Sequence, residues 1–145
     1  MGRITISLGA AAAGLTLLPR GEYEVFVDRV EVRESQKTDH DYLRWLLIID
    51  DETDYRGREL VLVTSFSPKA RFRMTEAFVA MGLAADATFD LEYDEDVPVT
   101  SSSGPCLITP NVDRKRAKAV VVHEAWNDQI QAKVKTILPL PEVSG

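Results

Sequence analysis

The run Gly21-Glu22-Tyr23-Glu24-Val25-Phe26-Val27-Asp28-Arg29-Val30-Glu31-Val32-Arg33-Glu34 decides how the chain folds. Tyr23, Val25 and Val27 alternate with Glu22, Glu24 and Phe26, the two-residue period of a strand with one buried face. The apolar phase then slips by one and resumes at Val30 and Val32. Keeping the apolar face inward across that slip requires an extra residue to be absorbed, which predicts a β-bulge near Asp28 or Arg29. A long strand bent in this way suits a small barrel that closes on itself.

Outward from this strand, Ser35 to Asp41 is a polar connection and Tyr42 to Ile49 is apolar at nearly every position. Such a run is either a central strand covered on both sides or one whose outer face is an aromatic binding surface. The acidic turn Asp50 to Asp54 ends it, and Gly57 opens a third strand from Arg58 to Phe66, so the second and third strands form a hairpin. Ser67 then reads as an N-cap with Pro68 at the first helical position. The helix is expected to run to about Met81, with Gly82 as its terminator. Ala70, Met74, Ala77, Phe78 and Met81 make its core stripe, while Phe72 and Val79 fall on the opposite side and need covering. The stretch from Leu83 to Val112 is the first candidate cover and a second copy of the chain is the other.

The loop Thr100-Ser101-Ser102-Ser103-Gly104-Pro105 splits that stretch. Ala117 to Glu124 and Ile130 to Leu138 are the fourth and fifth strands, joined through Trp126-Asn127-Asp128. Three strands, a helix and two more strands is the order of a mainly β, five-stranded Greek-key barrel of the oligonucleotide-binding (OB) type. Its helix lies between strands three and four, and a long insertion over residues 83–116 precedes strand four. The expected organisation is an N-terminal arm over 1–18, the barrel domain over 19–139 and an extended tail over 140–145.

A length of 145 residues accommodates one such core and is short for two. No run approaches the roughly 20 apolar residues of a membrane-spanning helix, which argues against a membrane protein. The first eighteen residues carry a single basic residue before an alanine tract, a weaker match to a secretory signal than to an arm that is loose or pairs at a sheet edge. The lone cysteine, Cys106, has no disulfide partner in the chain, so the expected compartment is the cytoplasm and the expected role is that of a small buried hydrophobe. A net charge of −6 argues at first against nucleic acid as a partner. Its distribution softens that objection, because Asp86, Asp90, Glu92, Asp94, Glu95 and Asp96 supply six negative charges and the remainder of the chain is balanced. Arg114, Lys115, Arg116 and Lys118 follow as a basic cluster, expected to clamp a phosphate backbone in preference to pairing with the acidic run.

Three short motifs carry a resemblance: Pro19-Arg20-Gly21-Glu22-Tyr23, then Tyr55-Arg56-Gly57-Arg58 closing a hairpin, then Val122-His123-Glu124 with Lys133-Val134-Lys135 and Leu138-Pro139. Together, and in this order over most of Pro19 to Pro139, they resemble the single-stranded DNA-binding proteins of tailed bacteriophages, which have an OB fold. The sequence departs from that pattern in having Asp128 where the family favours glycine and in the length of residues 83–116. The resemblance implies a non-enzymatic, sequence-tolerant binder of single-stranded DNA in phage replication or recombination, working in the host cytoplasm alongside replication or recombination proteins.

The chemistry of that function needs aromatic faces for stacking bases and cations that follow the backbone. In small barrels of this type the face of strands two and three, with the neighbouring loops, meets the nucleic acid. The residues expected there are Lys37, Tyr42, Arg44, Trp45, Arg58, Phe66, Lys69, Arg71, Trp126, Lys133 and Lys135. Alternation sets Tyr42 and Arg44 against Trp45, so if Trp45 faces the core, Tyr42 with Arg44 is the binding pair. Trp126 beside a tight turn either stacks on a base or packs over the rim. A P-loop, a dinucleotide fingerprint and a nucleophile elbow are all lacking, and Asp94-Glu95-Asp96 has no second acidic cluster to share metals with. The sequence therefore predicts no enzyme, no cofactor and no metal. The alternative function is a protein-interaction module that docks through the acidic stretch Asp86 to Asp96.

Overall fold

The computed structural model describes residue 2, residues 17–126 and residues 128–140, with the side chain of Trp126 outside the description. Residues 1, 3–16 and 141–145, most of the expected arm and tail, lie outside the described residues. Among the described residues, seven strands and one α-helix follow in order: β1 (Gly21–Arg33), β2 (Tyr42–Ile49), β3 (Glu59–Ser65), α1 (Arg71–Ala80), β4 (Glu92–Tyr93), β5 (Leu107–Thr109), β6 (Arg116–Trp126) and β7 (Gln129–Leu138). Five of the strands form one antiparallel sheet in the order β3-β2-β1-β6-β7, and β4 with β5 forms a separate two-stranded ribbon. The protein is thus mainly β, as the strand periodicity predicts.

The bulge is where the phase slip puts it. Val27 pairs with Leu47 and Arg29 with Leu46, so Asp28 is the extra residue. On either side of it Tyr23, Val25, Val27, Val30 and Val32 all turn inward, and they meet Leu43, Trp45, Leu47 and Ile49 of β2 and Leu60 and Leu62 of β3 in one core. Ala117, Ala119 and Val121 of β6 and Val134 and Ile137 of β7 complete the inner face. β7 carries its own irregularity, since Val120 pairs with Thr136 but Val121 with Val134.

The sheet curls until Cα atoms of its two edge strands, β3 and β7, come within 8 Å of each other. Among the described residues no backbone hydrogen bonds join those edges, so the sheet does not close into the complete barrel that the element order suggests. Side chains occupy the seam instead: Val61 and Val63 on one side, Lys133 on the other, and Arg73 of α1 reaching the Lys135 carbonyl at 3.2 Å.

α1 begins later than the Ser67 cap signal suggests. Pro68–Ala70 form a single 3-10 turn, with the Ala70 N–H bonded to the Ser67 carbonyl, and Ser67 makes no side-chain cap. Its N–H is instead taken by Ser65 Oγ at 3.0 Å, which holds this stretch as a turn. The C-terminus matches expectation: Gly82 has φ +102°, its N–H bonds to the Val79 carbonyl and the Leu83 N–H to that of Phe78. This is a Schellman cap, which needs the left-handed residue that glycine supplies without steric cost. Ala77, Phe78, Ala80 and Met81 enter the core, with Met74 partly buried beside them.

Residues 83–116 cover only part of what they were expected to cover. Phe89 packs edge-on against Phe78 at 5.1 Å and Val79 is half-buried, but Phe72 remains 66% exposed. The segment is fastened to the free edge of β1 by hydrogen bonds from Val32 N–H to the Pro105 carbonyl and from Glu34 N–H to that of Thr100. Cys106 is exposed, contrary to the expectation of a buried thiol, because Leu107 takes the inward position and alternation turns its neighbours out. Among the described residues, no helix is long and apolar enough to cross a membrane.

Candidate nucleic-acid interface

Alternation divides β2 into two faces. Leu43, Trp45, Leu47 and Ile49 point into the core, and Tyr42, Arg44, Leu46 and Ile48 point away from it. Trp45 has no exposed surface, its Nε1 donates to Thr64 Oγ1 at 2.9 Å, and its ring meets Phe78 edge-on. It is a core residue, and Tyr42 with Arg44 is therefore the pair on the outer face.

Register places specific neighbours around that pair. Tyr42 lies between Arg33 of β1 and Ser65 of β3, Arg44 between Glu31 and Val63, and Leu46 between Arg29 and Val61. Val61 and Val63 are 41% and 49% exposed. Glu31, although on the outer face, is buried beneath two guanidinium groups, Arg29 Nε at 3.2 Å and Arg33 Nη2 at 3.0 Å. Arg44 has no hydrogen-bond or ion-pair partner among the described residues. Three cations thus face one carboxylate, a local balance of +2 on a chain whose total is −6. Arg29 and Arg33 were not among the expected contacts. The signal for them was the bulge, which carries Arg29, Glu31 and Arg33 onto the outer face while Val30 and Val32 turn in.

The apolar edge of this face runs into the seam between β3 and β7. One half of that seam is a cleft of about 540 Å³ lined by Val61, Ala132 and Lys133 among others, and the other half, about 360 Å³, is lined by Val61, Val63, Arg73 and Lys133. Lys133 Nζ pairs with Glu124 at 3.0 Å, with both side chains about half exposed. Lys135 is exposed at the end of the seam where Arg73 binds its carbonyl.

The other expected contacts are dispersed. Lys37 is exposed in the loop that leads into Tyr42, and Lys69 is exposed in the turn before α1. Phe66 is half-buried, packed on the core and lining a pocket with His40 and Tyr93. Arg71 faces the groove between α1 and residues 83–116, away from the sheet face. Arg58 sits at the opposite end of β2 from Tyr42, where its backbone carbonyl receives the Ile49 N–H. Its Nη1 is buried without a hydrogen-bond partner among the described residues and its charge acts on the inward-facing Tyr23, so it is turned away from the outer face. Trp126 ends β6 opposite Gln129, and the turn residue Asp128 has φ +61°, the left-handed conformation that glycine would hold more easily.

Two of the four residues of the basic cluster, Arg116 and Lys118, form ion pairs within the fold, and Arg114 and Lys115 are exposed. Arg116 pairs with Asp50 and Glu24, Lys118 with Glu22, and Arg114 lies 5.4 Å over the Phe26 ring. Strand pairing explains this, since Arg116 stands opposite Phe26 and Lys118 opposite Glu24 on β1. The hydrogen bond from Arg116, reinforced by its charge and that of Arg56, holds the Asp50 carboxyl below the ordinary carboxylate range. Tyr23 is shifted upward, chiefly by burial, and its hydroxyl donates to the Pro19 carbonyl at 2.7 Å. Among the described residues, no three His, Cys, Asp or Glu side chains gather as a metal site.

No family model matches the chain, and no curated protein does.

Proposed function

We propose that the chain is a non-enzymatic, sequence-tolerant single-stranded DNA-binding protein on an OB-type sheet. The observation that carries this is the cluster of Arg29, Arg33 and Arg44 around Tyr42, beside the exposed Val61 and Val63, at one end of the outer face of β1 to β3, whose other end carries Glu22, Glu24 and Glu59, on a protein of net charge −6. The strand order β3-β2-β1-β6-β7, with a helix between β3 and β6, supports the fold assignment, because it is the order of an OB barrel cut open along one seam. Tyr42 offers a stacking surface, Arg44 and Arg29 meet phosphates, and Lys133, Lys135 and Arg73 continue the path across the seam. The resemblance to phage proteins adds the setting: replication or recombination in a host cytoplasm.

Titrating labelled oligo-dT, the matching RNA and duplex DNA at low salt tests the proposal. Single-stranded DNA binds in a strongly salt-dependent manner, and Arg44→Ala weakens it and lowers the salt slope by about 0.7, the share of one phosphate contact. Because Trp45 is sealed in the core, quenching of tryptophan emission reports Trp126. Absence of binding at low salt refutes the proposal. A second function, docking of a basic protein partner, is favoured by the exposure of the carboxylates from Asp86 to Asp96. Under that alternative Arg44→Ala leaves partner binding unchanged.

A further inference from the structure

We propose that Glu31 is the positioning residue of the cationic patch, its buried carboxylate holding Arg29 and Arg33 as a preformed receptor for phosphate oxygens with Arg44 as the third arm; this rests on the DNA-binding reading above. Alternation puts Glu31 on the outer face of β1, where a carboxylate is ordinarily hydrated, yet it is only 6% exposed. Arg44 of β2 stands opposite it on one side and Cys106 of the insertion bridges to it on the other, so both flanks are closed. Its two oxygens are engaged along its own strand. Oε1 faces Arg29 Nε at 3.2 Å, and Oε2 accepts from Arg33 Nε at 3.1 Å and Nη2 at 3.0 Å. Arg44, its direct partner in register, is left without a bond to it.

Neutralisation alone does not account for this pattern, because a carboxylate placed to cancel charge would also pair with the arginine opposite it. Stability does not call for it either. A buried ion pair adds little net stability, and the neighbouring outer-face position, Leu46, is apolar and equally buried. What the carboxylate supplies is direction. A guanidinium carries five N–H donors in a rigid fork that matches phosphate oxygens. Arg29 gives only its Nε to Glu31, and Arg33 its Nε and Nη2, so both terminal nitrogens of Arg29 and Nη1 of Arg33 stay available to a ligand. Fixing two long side chains in advance removes part of the ordering cost of binding.

Glu31→Gln separates positioning from charge by the sign of its effect. Removing a negative charge from a face that meets a polyanion strengthens binding if Glu31 only lowers the local potential. If Glu31 positions the arginines, oligo-dT affinity at low salt instead falls by about tenfold, the share of roughly one charge-assisted hydrogen bond, and the salt slope drops by about 0.7. Arg29→Ala then weakens the wild type several-fold but changes the Glu31→Gln background by less than about twofold, the non-additivity of groups that act together. Glu31→Asp keeps the charge on a side chain one methylene shorter; it weakens binding in the same direction and replaces Glu31→Gln should that variant fail to fold. A second arm needs no DNA. In proton–nitrogen correlation spectra the Nε–H signals of Arg29 and Arg33 exchange slowly with water in the wild type, shift together with that of Arg44 on adding inorganic pyrophosphate, and lose their protection in Glu31→Gln. Unchanged or tighter DNA binding by folded Glu31→Gln, additive losses with Arg29→Ala, or Nε–H signals indifferent to both Glu31→Gln and pyrophosphate would each overturn the proposal. A wild-type chain that does not bind oligo-dT refutes the function proposed above, and the pyrophosphate arm still decides the role of Glu31.

Discussion

Replacing Thr64 by Val removes one hydroxyl from the core and tests the placement of Trp45 directly. Thr64 and Trp45 are both fully buried, and the Nε1 to Oγ1 bond of 2.9 Å is the only partner either polar atom has among the described residues. Thr64→Val leaves the indole N–H buried and unpaired, a cost of about 1–3 kcal/mol. For a chain of this size, about 2 kcal/mol corresponds to a fall in Tm of roughly 4–8 °C. Trp45→Phe orphans the Thr64 hydroxyl and opens a void beside Phe78, and costs about 2–4 kcal/mol, somewhat less than truncation to alanine. The double variant has no orphaned polar atom, so its loss falls short of the sum by about 1–2 kcal/mol. Urea unfolding followed by far-UV circular dichroism gives all three values. Additive losses, or a Thr64→Val variant as stable as the parent, refute the buried pair. Oligo-dT titration supplies a second arm: a base stacked on Trp45 would contribute about 1–3 kcal/mol. Folded Trp45→Phe should therefore keep its affinity within about twofold, and a tenfold loss would return Trp45 to the binding face.

Three further outcomes follow from the geometry. Gly104→Ala puts a Cβ into the Val32 carbonyl, so the insertion must shift off β1; stability falls by about 1–3 kcal/mol and hydrogen exchange at the Val32 amide accelerates, whereas unchanged protection contradicts the close approach. Asp50, whose pKa is depressed chiefly by the Arg116 hydrogen bond, adds stability that is present above the ordinary carboxylate range near pH 4 and is lost as pH falls through its lowered value. Asp50→Asn should therefore narrow the difference in urea midpoint between pH 7 and strongly acidic buffer, and an unchanged difference removes Asp50 as its source. Asp128→Gly relieves a left-handed aspartate and should raise stability by up to about 1 kcal/mol in the same unfolding assay, while a loss would mean that the aspartate side chain holds the turn.

The parts of the fold legible in the sequence were those written in local pattern. The slip between Val27 and Val30 marked the bulge, Gly82 marked the end of α1, and the five long strands followed from period-two alternation. Features that depend on which strands meet were not legible. Arg114 to Lys118 looks free as a run of residues, yet antiparallel pairing brings Glu22 and Glu24 to it, and the β1–β2 pairing brings Asp50 alongside. Cys106 is exposed where burial is expected, and the insertion leaves Phe72 uncovered, for a related reason: whether an irregular segment buries a residue depends on how it docks, which no period encodes. On β2, alternation separates Tyr42 and Arg44 from Trp45 without settling which set faces inward, and the burial of Trp45 decides it. Arg29 and Arg33 required one further step, carrying the bulge through to the residues it turns outward.

Because β6 follows β1 only as far as Phe26, the second half of β1 would otherwise present a row of unsatisfied amides and carbonyls to any passing extended chain. The bonds from Arg114 and Val32 N–H, the reach of Glu34 to Thr100 and the bridge from Glu31 to Cys106 occupy that row from within the same molecule. The insertion is thereby a stopper on an adhesive backbone edge. Shortening it to a tight turn would leave the core of the sheet in place and yield a protein prone to strand exchange and aggregation.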